Sequence, residues 1–150
     1  MDAVTYPTPS VAAFIAESLI PIRVRYDSQP LSSRFNVQWT PTLVTLDPEG
    51  AEHHRSVGFR APEELIPALR LGIAKCAFDA GDVARSAELL DRLAAEFPRS
   101  DAAPEAVYLR GVSRFKATHD PKALKEAYET LKAEHPGTEW EKRAYPYRLL

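Results

Sequence analysis

Few residues of this sequence have the types and spacing that chemistry needs. Cys76 is the single cysteine among the 150 residues, so no internal disulfide forms and no cysteine-based zinc site can be assembled. His53 and His54 are neighbours, and neighbouring side chains on a strand point to opposite faces. We therefore predict that these histidines do not ligate one metal ion together, and that they lie on a solvated strand.

Acidic and hydroxyl residues do not complete a catalytic set either. Glu63, Glu64, Asp101 and Glu105 fall at predicted helix starts, where carboxylates complement the positive end of the helix dipole. No serine has His and Asp partners at a recognisable spacing, and no glycine-rich phosphate loop is present. We predict no catalytic residue, no metal site and no cofactor. Cys76 is interpreted as a small hydrophobic residue on a helix.

Charge and hydropathy exclude other classes of function. The net charge is −2, the pI is about 6.1, and the basic residues are scattered, so we expect neither nucleic acid nor an anionic membrane as a partner. No apolar run approaches the ~20 residues that span a bilayer. The first residues lack the basic and apolar regions of a signal peptide. With the lone cysteine, these features predict a cytoplasmic location.

The first third of the chain alternates short helical and strand patterns. Thr8 and Pro9 have the residue types of a helix start, and apolar residues then recur at helical spacing, which predicts a helix over 9–19. The stretch PIRVRYD alternates apolar and basic residues, which predicts a strand over 21–27. Residues 31–37 are typical of a short helix or turn.

A proline stands at the start of the next predicted strand. Trp39 and Thr40 lead into Pro41, and an apolar strand over 42–46 begins directly after it. Proline cannot donate to a strand ladder. This predicts either a cis Thr40–Pro41 bond beside a binding groove or a trans proline opening an edge strand. Residues 51–58 return as a further strand, forming a hairpin with the one before.

Helical periodicity dominates the rest of the sequence. A helix is predicted from 62 to about 78, with Pro67 either kinking it or marking its true start. Three more helices are predicted over 82–96, over 103–118 and from Pro121 onward.

The helical part carries an internal echo. Leu93, Glu96, Pro98 and Ser100 correspond to residues 38 positions further on: Leu131, Glu134, Pro136 and Thr138. A period in this range predicts stacked helical hairpins. An aromatic tail follows, formed by Trp140, Tyr145 and Tyr147. We predict that it caps the last hairpin, with a contact surface for a partner as the alternative.

The stretch YDSQPLSSRFNVQWTPTLVTLDPEG (26–50) resembles the second half of a thioredoxin domain. The resemblance lies in a short helix carrying Phe35 and then Val37, followed by a cis-proline that enters a strand as Pro-Thr-Leu at 41–43. Residues 1–77 fit this resemblance, and the opening helix and strand look like those after the catalytic Cys-x-x-C in one bacterial thioredoxin-like group.

This resemblance implies a peptide-binding site but not a redox centre. In the family, the residue before the cis-proline pairs with an extended substrate peptide, which assigns a peptide-binding role to Trp39, Thr40 and Pro41. Trp39 is either an aromatic anchor, an obstruction of the groove, or a filler of the space left by a missing first strand. That strand and the cysteine pair, which attacks and resolves disulfides, are absent here.

The stretch AGDVARSAELLDRLAAEFPRSDAAPEAVYLRG (80–111) resembles tetratricopeptide-type helical hairpins, through Gly81, its apolar face and Pro98. The fold class expected is therefore α/β plus all-α. An incomplete thioredoxin-like sheet with flanking helices over 1–78 is followed by a degenerate tetratricopeptide-like module over 79–150.

Two functions follow from these resemblances. The first is a non-catalytic thioredoxin-fold protein that acts by binding a protein or peptide, or by forming a homodimer that covers the exposed sheet edge. The second is a thiol–disulfide oxidoreductase, if Met1 is an internal residue and the Cys-x-x-C lies upstream of it.

Overall fold

The structure is a computed structural model that describes residues 1–150. It contains seven α-helices, a two-stranded sheet and a final 3-10 helix. The elements in chain order are α1 (Pro9–Ser18), α2 (Leu31–Arg34), β1 (Thr42–Leu46), β2 (Glu52–Val57), α3 (Pro62–Asp79), α4 (Val83–Glu96), α5 (Ala103–Thr118), α6 (Lys122–Glu134), α7 (Glu139–Ala144) and the 3-10 helix (Tyr145–Leu149). All the predicted helices are present.

The strand predicted over 21–27 is wrong. These residues form no strand or helix and every one of them is exposed, with Ile22 78% and Tyr26 68% accessible. The alternating pattern is that of a strand, but pairing needs a neighbouring strand, and the fold places none beside these residues.

The predicted hairpin is confirmed. β1 and β2 pair antiparallel with Leu43 opposite Ser56, and the register shifts near Leu46. The turn between them closes through a hydrogen bond from the Gly50 N–H to the Asp47 carbonyl, at 3.0 Å, and Gly50 takes a φ of +81° that favours glycine. The peptide bonds Thr40–Pro41 and Gln29–Pro30 are both cis.

The sheet is smaller than a thioredoxin-like domain implies. It has two strands and no others, and a two-stranded hairpin needs further packing to be stable in water. That packing comes from α3, which approaches β1 so closely that a Cβ on Gly72 would clash with Thr45 Oγ1. The fold is thus mixed, mainly helical with a small sheet, and it does not confirm a thioredoxin-like sheet.

Helix α3 runs through Pro67 without a break. The helix begins at Pro62 rather than at Pro67, because Pro62 occupies the first turn, where a missing N–H costs nothing. Pro67 is fully buried and leaves the carbonyl of Glu63 without its helical donor. Glu63 is exposed, so water can supply that hydrogen bond.

The core lies in the helical hairpins α3–α4 and α5–α6. Leu71 of α3 packs with Leu90 and Leu93 of α4 and with Ala106 of α5. Val11 is the one buried hydrophobic residue before Leu65. The first 60 residues therefore rest on α3 and have almost no core of their own.

The internal echo is a structural repeat. Leu93 and Leu131 are both fully buried. The residues that end α4 and α6, Phe97 and His135, share one backbone conformation, with φ/ψ of −129°/53° and −132°/51°. In each hairpin, the hydroxyl three residues further on donates a hydrogen bond to the carbonyl of this residue. Ser100 donates to Phe97 at 2.9 Å, and Thr138 donates to His135 at 2.8 Å.

Candidate functional site: a groove beside the helical hairpins

A groove runs along the first helices of the hairpins and the β-hairpin. It consists of two adjoining cavities of about 480 and 280 Å³, which share Lys75 of α3, Glu105 of α5 and Trp140 of α7. β2 closes one side with residues 52–55. Three helices and a strand thus contribute side chains to one concave surface, which we call the groove.

The floor of the groove is a polar chain of three side chains. The Lys75 ammonium forms an ion pair with Glu105 and lies 3.4 Å from His54 Nδ1. Burial and the nearby Lys75 charge lower the pKa of His54, so its neutral ring accepts from the ammonium. Lysine has three donors, and one remains for a ligand.

The far wall of the groove is aromatic. Tyr108 packs against Trp140 with ring centroids 5.3 Å apart and against Tyr147 at 5.9 Å. The Tyr108 and Tyr147 hydroxyls are 3.0 Å apart, and burial and this contact raise the pKa of Tyr147 to about 12. Arg143 lies over the Trp140 ring at 4.7 Å. The wall offers apolar surface with a cation at its rim.

The packing of this wall can be compared with the prediction that the C-terminal aromatic residues cap the last hairpin. Trp140 and Tyr147 pack against the buried cluster of Val107 and Tyr128, as a cap requires. Tyr145 remains 50% exposed. Its ring nevertheless lies edge-on to Tyr128, with centroids 6.2 Å apart. The packing of all three aromatic residues therefore agrees with the cap prediction, and Trp140 also faces the groove.

The β-hairpin is fastened to the end of α3 by His53. Its Nδ1 lies 2.6 Å from Asp79 Oδ2, and its Nε2 lies 2.9 Å from Asp47 Oδ2. These hydrogen bonds, to Asp79 first and Asp47 second, raise the pKa of His53. The hydrogen bond from His53, together with one from the Ala51 N–H, lowers the pKa of Asp47.

The prediction that the two histidines lie on a solvated strand is wrong. The His53 side chain is 12% exposed, and His54 is half-buried. Both contact α3 side chains, since the strand lies against that helix. No group of three or more His, Cys, Asp or Glu residues is arranged to hold a metal ion.

The predicted peptide-binding residues lie outside the groove. Trp39, Thr40 and Pro41 line neither of its two cavities. Trp39 is 70% exposed, so the interpretation that it fills space inside the domain is wrong. Its carbonyl accepts a hydrogen bond from Thr42 Oγ1 at 2.6 Å.

Cys76 lies on α3, near the carboxylates that hold His53. It is partly buried, and burial, with the negative charges of Asp47 and Asp79, raises the pKa of its thiol. A raised pKa lowers the thiolate fraction and so the nucleophilicity. This environment is typical of a structural cysteine.

The sequence alone did not indicate Lys75 and Glu105 as groove residues. Glu105 does lie in the first turn of its helix, as predicted, but its carboxylate also pairs with Lys75, 30 residues earlier. The available signal was helical spacing: Lys75, Phe78 and Asp79 share one face of α3, and Glu105, Tyr108 and Leu109 share one face of α5.

Comparisons with known proteins identify one part of the chain. Residues 68–100 match the family model of a tetratricopeptide repeat, which spans most of α3 and all of α4. The first hairpin is therefore α3–α4, and the repeat begins before the module start predicted at residue 79. Repeats of this kind form binding surfaces for proteins.

The other comparisons add no relative. No curated protein matches the chain, and no solved structure matches it. None of the comparisons shows a thioredoxin-like family. No helix in the structure has the length and apolar composition to cross a membrane. The chain contains a tetratricopeptide-type repeat over residues 68–100.

Proposed function

We propose that the groove binds an extended segment of another protein. The observation that carries this proposal is the set of side chains on the faces of α3, α5 and α7. The Lys75–Glu105 pair supplies hydrogen-bonding groups next to the apolar surface of Trp140 and Tyr108. Binding sites for peptides combine such aromatic anchors with a few charged groups that fix orientation.

The groove is suited to a partner rather than to catalysis. Three carboxylates line the groove, and each is engaged: Glu105 by Lys75, Glu52 by Arg55 and Asp79 by His53. Neutral His54 is engaged by the Lys75 ammonium. No serine, threonine or cysteine side chain lines the groove. The groove instead provides contact area, charge pairs and an aromatic wall. These features are suited to binding a protein partner.

The N-terminal part of the chain enters the proposal as a second contact. By its resemblance to thioredoxin-like domains, Trp39, Thr40 and Pro41 would present an aromatic anchor and a backbone edge to a peptide. The exposure of Trp39 favours this role. The oxidoreductase alternative needs a Cys-x-x-C pair, and Cys76, with its raised pKa, does not replace one.

The test is a selection of peptides from a phage-displayed random library on the whole chain, followed by affinity measurements on variants. We expect Lys75→Gln and Arg143→Glu to weaken the selected peptides about tenfold or more, the loss expected when a charged hydrogen bond worth about 1.5–3 kcal/mol is removed. Arg92→Glu is the matched control, because Arg92 is exposed on α4 and does not line the groove.

A further variant separates the two proposed contacts. Trp39→Ala changes an exposed side chain outside the groove. If the selected peptides lose affinity with Trp39→Ala but keep it with both groove variants, the binding site is the N-terminal contact. That result would overturn the proposal that the groove binds the peptide. Peptides insensitive to all the variants would overturn both.

A further inference from the structure

The segment of residues 20–27, here called the 20–27 segment, has the composition of a strand but no neighbour. Ile20, Ile22, Val24 and Tyr26 alternate along it and are 91%, 78%, 42% and 68% exposed. Soluble chains bury such residues unless the surface has another use. Four large apolar side chains, all exposed, thus recur at every second position, the spacing that would put them on one face if the segment were a strand.

The backbone of this segment is as unpaired as its side chains. None of its N–H groups donates to a carbonyl, and one carbonyl, that of Arg25, accepts a backbone hydrogen bond, from the Ser28 N–H at 3.0 Å. This hydrogen bond closes a turn that contains Tyr26 and Asp27. A row of unpaired backbone groups such as that over residues 20–24 is a template for an added strand. When a strand is added in this way, the backbone hydrogen bonds supply affinity and the alternating side chains supply specificity.

The charges of the segment decide what kind of strand fits. Between Ile20 and Tyr26 the charged residues are Arg23 and Arg25. They alternate with the apolar residues, so in a paired strand their side chains would lie on the opposite face. Arg23 pairs with Asp2 and Arg25 with Asp27, but the arginine side chains are 84% and 81% exposed. Arg23 contacts Asp2 through one hydrogen bond, and exposed pairs of this kind are weak and readily exchanged for a partner's carboxylate. Arg25 contacts Asp27 through two hydrogen bonds, so Arg23 is the more easily released of the two.

We infer that the 20–27 segment is a docking strand for a strand of another protein that alternates apolar and acidic residues. In that pairing the partner's apolar side chains cover Ile22, Val24 and Tyr26. Its carboxylates lie opposite Arg23 and Arg25, where unlike charges on paired strands stabilise and like charges destabilise. A second copy of this chain fits less well, since its own segment would bring arginines toward arginines.

The test uses synthetic peptides on the whole chain. One peptide alternates valine and glutamate, and a second alternates valine and lysine. The readout is amide hydrogen exchange of residues 20–27, measured by NMR. We expect the glutamate peptide to slow exchange across the segment and the lysine peptide to leave it unchanged.

Two variants sharpen this test. Val24→Pro removes a backbone donor from an unpaired stretch, so we expect peptide protection to disappear while the melting temperature stays unchanged. Arg23→Glu combined with Arg25→Glu should weaken the glutamate peptide by about 2- to 30-fold, the effect of two cross-strand charge pairs. Arg85→Glu with Arg92→Glu, both exposed on α4, is the matched control and should change nothing.

Three outcomes overturn the inference. The first is no protection by either peptide. The second is equal protection by the glutamate and lysine peptides, because charge would then not select the partner. The third is a free protein whose 20–27 amides are already protected in a concentration-dependent dimer that Val24→Pro dissociates, which would make a second copy the occupant.

Discussion

At the scale of single residues, the contact that most depends on conditions is His53. Its ring lies between the carboxylates of Asp79 and Asp47, and only the protonated ring donates to both. When the ring is neutral, one nitrogen presents a lone pair to a carboxylate. The attachment of the β-hairpin to α3 therefore depends on the proton that His53 carries.

This contact predicts a pH dependence of stability. The pKa of His53 is raised above its ordinary value of 6.5, so its stabilisation is fully present below about pH 6.5 and is lost as pH rises through the raised pKa. The pKa of Asp47 is lowered, so its contribution is lost only as pH falls through that lowered value. The contact is strongest between these two limits.

The measurement is the free energy of unfolding as a function of pH, for the wild type and for His53→Gln. We expect His53→Gln to cost stability at pH 6 and to cost much less at pH 9. His54, whose pKa is lowered, opposes this trend, so the difference between the two proteins is the quantity to follow. A difference that is constant from pH 6 to pH 9 would show that the proton on His53 does not matter.

At the scale of elements, the packing of α5 on α6 depends on one glycine. A Cβ on Gly111 would lie 2.5 Å from the Ala127 Cβ and 3.1 Å from the Ala123 carbonyl oxygen. Both atoms belong to the backbone or are attached directly to it, so they cannot rotate away. The two helices approach this closely because Gly111 has no side chain.

We predict that Gly111→Val destabilises the protein by about 1–3 kcal/mol, the usual cost of overpacking a well-filled contact. The measurement is denaturant unfolding. Ala117→Val, on an exposed turn of the same helix, is the control and should cost less than about 0.7 kcal/mol, since only helix propensity changes there. Equal effects at the two positions would mean that the helices separate freely.

At the scale of the whole molecule, α3 belongs to both halves of the chain. It carries the β-hairpin through Gly72 and His53, and it packs through Leu71 on Leu90 and Leu93 of α4. The predicted division between residues 78 and 79 falls in the last turn of this helix, which ends at Asp79. Cutting there would remove half of the first hairpin.

The boundary can be tested with two fragments. We predict that residues 61–150 fold cooperatively, while residues 79–150 do not, because Leu90 and Leu93 lose their partners on α3 and each exposed leucine costs about 1.5–3 kcal/mol. That is a large fraction of the 5–15 kcal/mol that stabilises a typical domain. The measurement is thermal unfolding followed by circular dichroism. A fragment 79–150 as stable as 61–150 would restore the predicted boundary.

The sequence by itself determined helices α1 to α6, the β-hairpin and the repeat, but not α7, whose residues were predicted only as an aromatic tail. Their signals are local: prolines at the first turns of α1, α3 and α5, and Asp82 accepting from the Arg85 N–H at 3.1 Å to cap α4. The periodic leucines recur within single helices, and the 38-residue repeat has the length of one helical hairpin. Such features are read from spacing because the interactions behind them join residues close in the chain.

Tertiary structure alone decided the groove, the His53 contact and the unpaired segment. Lys75 meets Glu105 across 30 positions, and His53 meets Asp79 across 26, so no local pattern could pair them. The 20–27 segment is the converse case, because its local pattern is that of a strand. A strand needs a neighbour to complete its hydrogen bonds, and whether the fold supplies one is a property of the whole molecule.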